Sequence, residues 1–179
     1  MSRTHANRGK IWERQLDRLH ALWASSGRAV VHRNHPEVVV RRDRRTGKVI
    51  GADHRQQGAP DYTILSRGRF IVADAKSTRE RRWAFRLLEP HQANALDAIE
   101  SQGGLGLLLV NTPAGSWALP WRAVRPLWGR WYAGEAGRGE ASLTAAQMTA
   151  LCLCHAPKGR TLDYLEPSLE CLAGRREVA

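Results

Sequence analysis

Nowhere do the 179 residues offer the roughly 18 consecutive apolar positions that a membrane-spanning helix requires, and the longest apolar run, 105–110, has the length of a strand. A membrane protein is not expected. The opening Met1-Ser2-Arg3-Thr4-His5 lacks the apolar centre of a secretory signal and leads into a charged segment, which points to the reducing cytoplasm. Cysteine is scarce. The three present, Cys152, Cys154 and Cys171, cannot all pair with one another. The C-x-C spacing before His155 is too tight for the usual zinc knuckle, and no second pair completes it. Free thiols in a helical C-terminal region are the reading that remains. The glycine-rich stretch 134–139 has no strand before it and no Lys-Ser/Thr after it, so no nucleotide cofactor is expected there and a surface connection suffices. Acidic residues are also few. Against 28 Lys and Arg stand only 17 Asp and Glu, a formal charge of +11, which makes a polyanion the leading partner.

What is present suits one folded domain. Hydrophobic residues make up 42% of the chain and include seven tryptophans, enough to rule out global disorder, and 179 residues leave little room for two full domains. From Asn7, the apolar residues Trp12, Leu16, Leu19 and Trp23 follow the i, i+4, i+7, i+11 stripe of one buried helix face, ended by Gly27. Lys10, Arg14 and Arg18 form a neighbouring basic stripe, with Glu13 between the two. Short strands are predicted at 30–33, 38–41 and 49–52, making a basic hairpin around Thr46-Gly47-Lys48. A second hairpin pairs 62–65 with 70–75. A helix over 89–102, strands at 105–111 and 117–119, and an aromatic helix face at Trp121, Val124, Trp128 and Trp131 follow. Helical pieces over 143–154 and 162–172 complete a mixed α/β sheet flanked by helices, with residues 121–179 a helical C-terminal part of the same domain and residues 1–8 a flexible arm.

The second hairpin carries the chemistry. If its turn closes with a two-residue loop at Arg67-Gly68, or with a four-residue loop, paired positions sum to 135 and Asp61 falls opposite Asp74. Two carboxylates about 4.5–5.5 Å apart at Cβ repel unless one is protonated or a cation bridges them. A divalent metal resolves the conflict, and hard oxygen ligands favour Mg²⁺ over zinc. A three-residue loop breaks this register. Strand alternation places Lys76 on the same face as Asp74, with Ala75 turned away. Carboxylates that hold Mg²⁺ to position and acidify a water, beside a lysine that balances charge, constitute phosphodiester-cleaving chemistry. By spacing alone, a surface hairpin with Asp74 paired to a basic neighbour fits equally well.

Pro60-Asp61 followed by Asp74-Ala75-Lys76 resembles the PD-(D/E)xK nuclease superfamily, whose restriction-endonuclease-like fold is a mixed sheet flanked by helices. A longer similarity is more specific. Ala6-Asn7-Arg8-Gly9-Lys10 with Glu13, Asp61-Tyr62, the run from Gly68 to Thr78, Phe85-Arg86-Leu87, His91-Gln92 and Leu162-Asp163-Tyr164-Leu165 resemble, in order, the RecU-type Holliday junction resolvases, also called penicillin-binding-protein-related factor A. This resemblance implies that Asp61 and Asp74 bind Mg²⁺ or Mn²⁺, that the Ala75 carbonyl can also ligate, and that Lys76 is the catalytic lysine. Glu13 and Gln92 would support them, with Glu13 a candidate for a further metal ligand. It also implies a homodimer, since a four-way junction needs two symmetric cuts, and a role in recombination or repair. Many relatives carry Glu where Asp74 stands, and the region 41–57, which matches their projecting stalk, is short.

Two basic clusters flank the acidic motif. Arg41, Arg42, Arg44, Arg45, Lys48 and Arg55 crowd the early hairpin, and Arg79, Arg81 and Arg82 follow the lysine. With Arg8, Lys10 and Arg14 they are the expected phosphate contacts to branched DNA, positioning the backbone without reading bases. Two other readings stay open: a PD-(D/E)xK nuclease that nicks or restricts a different substrate, and a non-catalytic basic DNA-binding module.

Overall fold

The computed structural model of the chain describes residues 3–34, 38–54 and 59–174. It opens with a helix, α1 (Arg3–Ser25), then strands β1 (Val30–Arg33), β2 (Val38–Arg42), β3 (Val49–His54), β4 (Tyr62–Ser66) and β5 (Arg69–Ser77). A two-residue strand β6 (Trp83–Ala84) and a 3₁₀ turn lead to α2 (Pro90–Ser101), β7 (Leu105–Thr112), β8 (Gly115–Pro120) and α3 (Trp121–Tyr132). The chain continues through β9 (Ser142–Leu143), α4 (Ala145–Leu151), β10 (Cys154–Ala156) and α5 (Leu165–Leu172). No described helix is long and apolar enough to cross a membrane.

Six strands form the main sheet in the order β1-β4-β5-β7-β8-β10. All its pairings are antiparallel except β5 with β7, where α2 provides the crossover a parallel pair needs. Each face of the sheet has its own apolar cluster. On one face Trp12, Leu16, Leu19 and Trp23 of α1 pack on Tyr62, Ile64, Ala73 and Leu107, with α5 alongside. Burying each of those four side chains is worth about 1.5–3 kcal/mol, so the apolar stripe read from the sequence is what docks α1. On the other face α2, α3 and α4 cover Val72, Leu108 and Val110. The aromatic face of α3 lies in that cluster, with Trp121 and Val124 fully buried despite Pro126 inside the helix.

Some expectations need correction. The backbone is helical from Arg3, so residues 3–8 extend α1 rather than forming a separate arm. The segment after residue 120 is less helical than expected: α4 stops at Leu151, and Cys154 and His155 belong to β10, paired with Ala118 and Trp117. The physical reason is the open edge of β8, whose main-chain groups need partners. Leu153 and Ala156, both buried, anchor the segment against that edge, and Leu153 N donates to Ala118 O at 2.9 Å. Gly115, at φ +148°, permits the approach, because a Cβ there would come within 2.8 Å of Ala156 O.

Candidate active site

The hairpin that carries the acids closes as a two-residue loop. Ser66 pairs with Arg69 and Tyr62 with Ala73, so the 135 sum holds along the ladder. Arg67 and Gly68 both have positive φ, +49° and +71°, the combination that a type I′ turn demands. Asp61 sits one step past the last ladder pair, next to Asp74 on the α2 side of the sheet. Asp61 Oδ2 accepts a hydrogen bond from Ala75 N at 2.7 Å, replacing the partner that β4 no longer supplies. The two main-chain groups of one strand residue leave from the same edge, so the Ala75 carbonyl also faces Asp61.

Asp74 is fully buried, at 0% exposure, and every polar contact it has is specific. Its Oδ1 accepts from Gln92 Nε2 at 3.0 Å, and its Oδ2 lies 2.8 Å from Lys76 Nζ. That ion pair is close but poorly aligned, leaving Oδ2 without a well-directed hydrogen bond. Lys76 Nζ aims its donor at Gln92 Oε1 instead, at 2.8 Å. Gln92 thus joins acid and lysine through opposite ends of one amide. Its orientation is fixed from the helix side: Glu89 is the N-cap of α2, Pro90 takes the first turn, and Gln92 Oε1 accepts from Glu89 N at 3.1 Å in a reciprocal capping box. The local sequence Glu89-Pro90-His91-Gln92 both starts the helix and delivers the glutamine.

Charge is crowded here. Burial, and next the facing Asp74 carboxylate, push the Asp61 carboxyl above the ordinary aspartate range, against the pull of the Ala75 N–H, Lys76 and Arg33. Burial also pushes Asp74 upward, opposed by Lys76 and His91. Two acids held together in the interior with one ammonium between them leave negative charge uncompensated. The oxygen donors on offer are two carboxylates and a carbonyl, and one carboxylate oxygen has no well-aligned donor, so the residues fit a hard divalent cation that keeps several waters.

Glu13 is not part of this cluster. It lies on α1, across the sheet, where its carboxylate forms an ion pair with Arg33 of β1, and Arg33 Nη1 also reaches Asp17 Oδ2 at 2.6 Å. Tyr62 Oη donates to Asp17 Oδ1 at 3.0 Å. Among the described residues no group of three or more His, Cys, Asp or Glu side chains is placed to hold a metal. The sequence reading passed over Arg33, which links the α1 acids to the field at Asp61, and Asn34. Asn34 N donates to Asp61 O at 2.8 Å and its Nδ2 to Pro60 O at 2.6 Å, tying the two ends of the β2–β3 excursion together beside Asp61. Neither residue had a pattern signal, since each acts through contacts 16 or more residues away.

The basic candidates lie around this centre. Lys10 and Arg14 are exposed on α1, and Arg41, Arg42, Arg44, Arg45 and Lys48 are exposed on the β2–β3 ribbon, whose turn is fixed by Asp43 accepting from Thr46 N and Arg45 N. Arg79 and Arg81 are exposed after β5, while Arg82 is also tied to Ser142 Oγ and Gly139 O. Arg55 and the Arg8 side chain lie outside the described residues.

The family model for RecU, recombination protein U, matches residues 7–168. The Holliday junction resolvase RecU of Streptococcus gordonii (strain Challis) is 30% identical over 111 residues, which are 59% of this chain and 56% of that protein. That of Streptococcus pneumoniae (strain Taiwan19F-14) is 31% identical over the same length, so the alignment spans little more than half of these curated relatives. Among solved structures, that of Hjc, a Holliday junction resolvase of Archaeoglobus fulgidus, aligns with a TM-score of 0.45 at 15% identity, covering 78% of this chain and 90% of that one. The family match runs through most of the sequence and contains Asp61, Asp74, Lys76 and Gln92, and the chain therefore belongs to the RecU, recombination protein U, family.

Proposed function

We propose that this chain is a Mg²⁺-dependent, structure-selective endodeoxyribonuclease that resolves four-way DNA junctions by paired symmetric nicks, acting as a homodimer in cytoplasmic recombination or repair. The observation that carries the reading is the fully buried Asp74, held between Lys76 and Gln92 and beside Asp61. A structural carboxylate does not need a second acid at its side; a metal ligand does.

In this reading Asp61, Asp74 and the Ala75 carbonyl hold the ion, with Mn²⁺ able to replace Mg²⁺. When bound, the cation supplies Lewis-acid polarisation of the scissile phosphate and a more acidic water. Lys76 keeps an ammonium beside the acids, where it offsets charge that builds on the phosphate, and Gln92 fixes the direction of that ammonium. Glu13 contributes at one remove, through Arg33. The exposed arginines of the β2–β3 ribbon, Lys10, Arg14, Arg79, Arg81 and Arg82 would neutralise phosphates of the DNA arms. In sequence the ribbon lies between Asn34, whose N–H holds the Asp61 carbonyl, and Pro60, which Asn34 Nδ2 also contacts, so DNA gripped by the ribbon would be presented to the acids.

The test is direct. Purified protein is incubated with an end-labelled immobile four-way junction and with a matched linear duplex, with EDTA, Mg²⁺ or Mn²⁺, and the nicks are mapped. Symmetric nicks in the junction alone, only with metal, are expected. Cutting of duplex or flaps in preference indicates a nuclease of another substrate class, and metal-independent binding with no cutting under any condition replaces the enzyme with a binding module.

A further inference from the structure

Beyond the C-terminal end of β5 the surface opens into two adjoining cavities of about 430 and 220 Å³ between α1 and the loop that precedes α5. They share Gln15, Gly159 and Arg160 in their walls, so they form one continuous groove. Four cations line it, Arg79, Lys158 and Arg160 together with Arg18, and no carboxylate does. Other arginines are neutralised locally, as Arg33 is by Glu13 and Asp17 or Arg67 by Glu166. Among the described residues no acidic side chain pairs with Arg79, Lys158 or Arg160, and all three are exposed. A fold that leaves like charges together around a groove lowers the cost only when an anion enters it.

The groove floor is preformed. Thr78 N donates to Asn111 O at 3.0 Å, which carries the β5–β7 pairing one step beyond the sheet, and Ser116 Oγ donates to Asn111 Oδ1 at 3.1 Å. The hydroxyls of Ser77 and Thr78 and the Asn111 amide supply further hydrogen-bonding groups between the cations. Arg79 is three residues after Lys76, in the bend that follows β5, hence at most ~10 Å along the chain, or about three nucleotide rises. It also stands where parallel strands end, the usual place for ligands in open α/β sheets.

We infer that this groove holds the phosphodiester backbone of the DNA arm leaving the cut site, with Lys158 and Arg160 joining Arg79 as phosphate contacts. The inference rests on the nuclease reading and extends it to a second surface, on the α1 face of the sheet, whose Lys158 and Arg160 the sequence pattern did not single out.

The experiment uses the whole chain carrying K158Q/R160Q or K158E/R160E. Binding to a fluorescein-labelled four-way junction is followed by anisotropy in CaCl₂ between 50 and 200 mM KCl, with thermal unfolding as the check on folding. Both side chains are exposed, so wild-type melting is expected. Losing two phosphate contacts should weaken binding by roughly tenfold at 100 mM salt and flatten the log Kd against log salt slope by about two, with a larger loss for the charge reversal. Wild-type affinity and slope in both variants overturn the inference while leaving the nuclease reading intact. Unchanged junction binding with lost binding of single-stranded RNA overturns it in favour of an RNA site. Failure of the wild-type protein to bind any junction overturns both.

Discussion

Replacing Asp61 by Asn isolates the charge conflict at the centre of the site. The asparagine carbonyl oxygen can still accept from Ala75 N, which now bonds Asp61 Oδ2 at 2.7 Å, so local geometry is retained and mainly the charge is removed. The sign follows from the titration. Asp61 has its folded-state pKa raised above the ordinary aspartate value of 3.8, by burial and by Asp74. Ionisation therefore costs the folded state more than the unfolded one. The penalty is absent well below pH 3.8, grows as pH rises through the raised folded value, and stays constant above it. At pH 7.5 in EDTA the variant should be more stable than the wild type by ~1–2 kcal/mol, the usual gain when strain at a functional site is relieved. For a chain of this length that is an increase of roughly 2–8 °C in Tm. Divalent cation reverses the order. At 100 times its Kd it stabilises the wild type by about 2.7 kcal/mol and does little for the variant. Circular dichroism melts with EDTA, MgCl₂ and MnCl₂ decide it. A wild type more stable than D61N in EDTA, or an equal metal-induced rise in both proteins, would refute the argument that the acids are paired for a cation.

Three further outcomes are expected. Lys76→Met should lower junction cleavage by a factor of ~10²–10⁴ while junction affinity in CaCl₂ stays within about threefold, since the ammonium faces Asp74 and Gln92 in the interior rather than the DNA surface; equal losses in binding and cutting would count against this role. Gln92→Glu keeps a residue able to complete the α2 capping box but sets a third acid beside Asp74, so cleavage should fall by ~10–100-fold with little change in Tm, whereas Gln92→Ala should lose about 1 kcal/mol of stability as well, and a fully active Gln92→Glu protein would remove Gln92 from the site. Buried His20 is held neutral down to about pH 4, below the ordinary histidine value of 6.5, chiefly by desolvation. Its folded pKa is depressed, so its contribution is complete above pH 6.5 and declines toward pH 4, by about 1.4 kcal/mol per pH unit and about 3 kcal/mol in all; urea titrations should show that slope in the wild type and not in His20→Gln.

The sequence was most readable where a local rule decides the structure. The α1 stripe and the Arg67-Gly68 turn each follow from periodicity or turn chemistry, and the turn then fixes which residues oppose each other, so Asp61 and Asp74 could be brought together by arithmetic. Strand alternation did the same for Lys76. It was least readable where a segment's state depends on a distant edge. Residues 152–156 carry no sign of the vacant flank of β8 that draws them into a strand. Glu13 shows a related limit: its place on α1 was readable, but its engagement by Arg33 depends on how β1 lies against the helix.

The placement of Gln92 explains how so small a site is held to one geometry. A long polar side chain at a buried acid could adopt several rotamers, each with a different hydrogen-bond pattern. Here its acceptor is shared between Lys76 Nζ and the Glu89 main-chain N–H, which leaves its amide nitrogen directed at Asp74. The helix start is therefore part of the site: the groups that satisfy the first turn of α2 also orient the lysine and the acid. That arrangement makes local and functional demands coincide. Fraying of α2 at Glu89 would release Gln92, and with it both the direction of the ammonium and the one well-aligned hydrogen bond that Asp74 receives. Weakening the N-cap by Glu89→Ala should thus lower cleavage even though residue 89 is exposed and makes no contact with either acid, an effect that a purely stabilising role for the cap would not produce once Tm is restored by lower assay temperature.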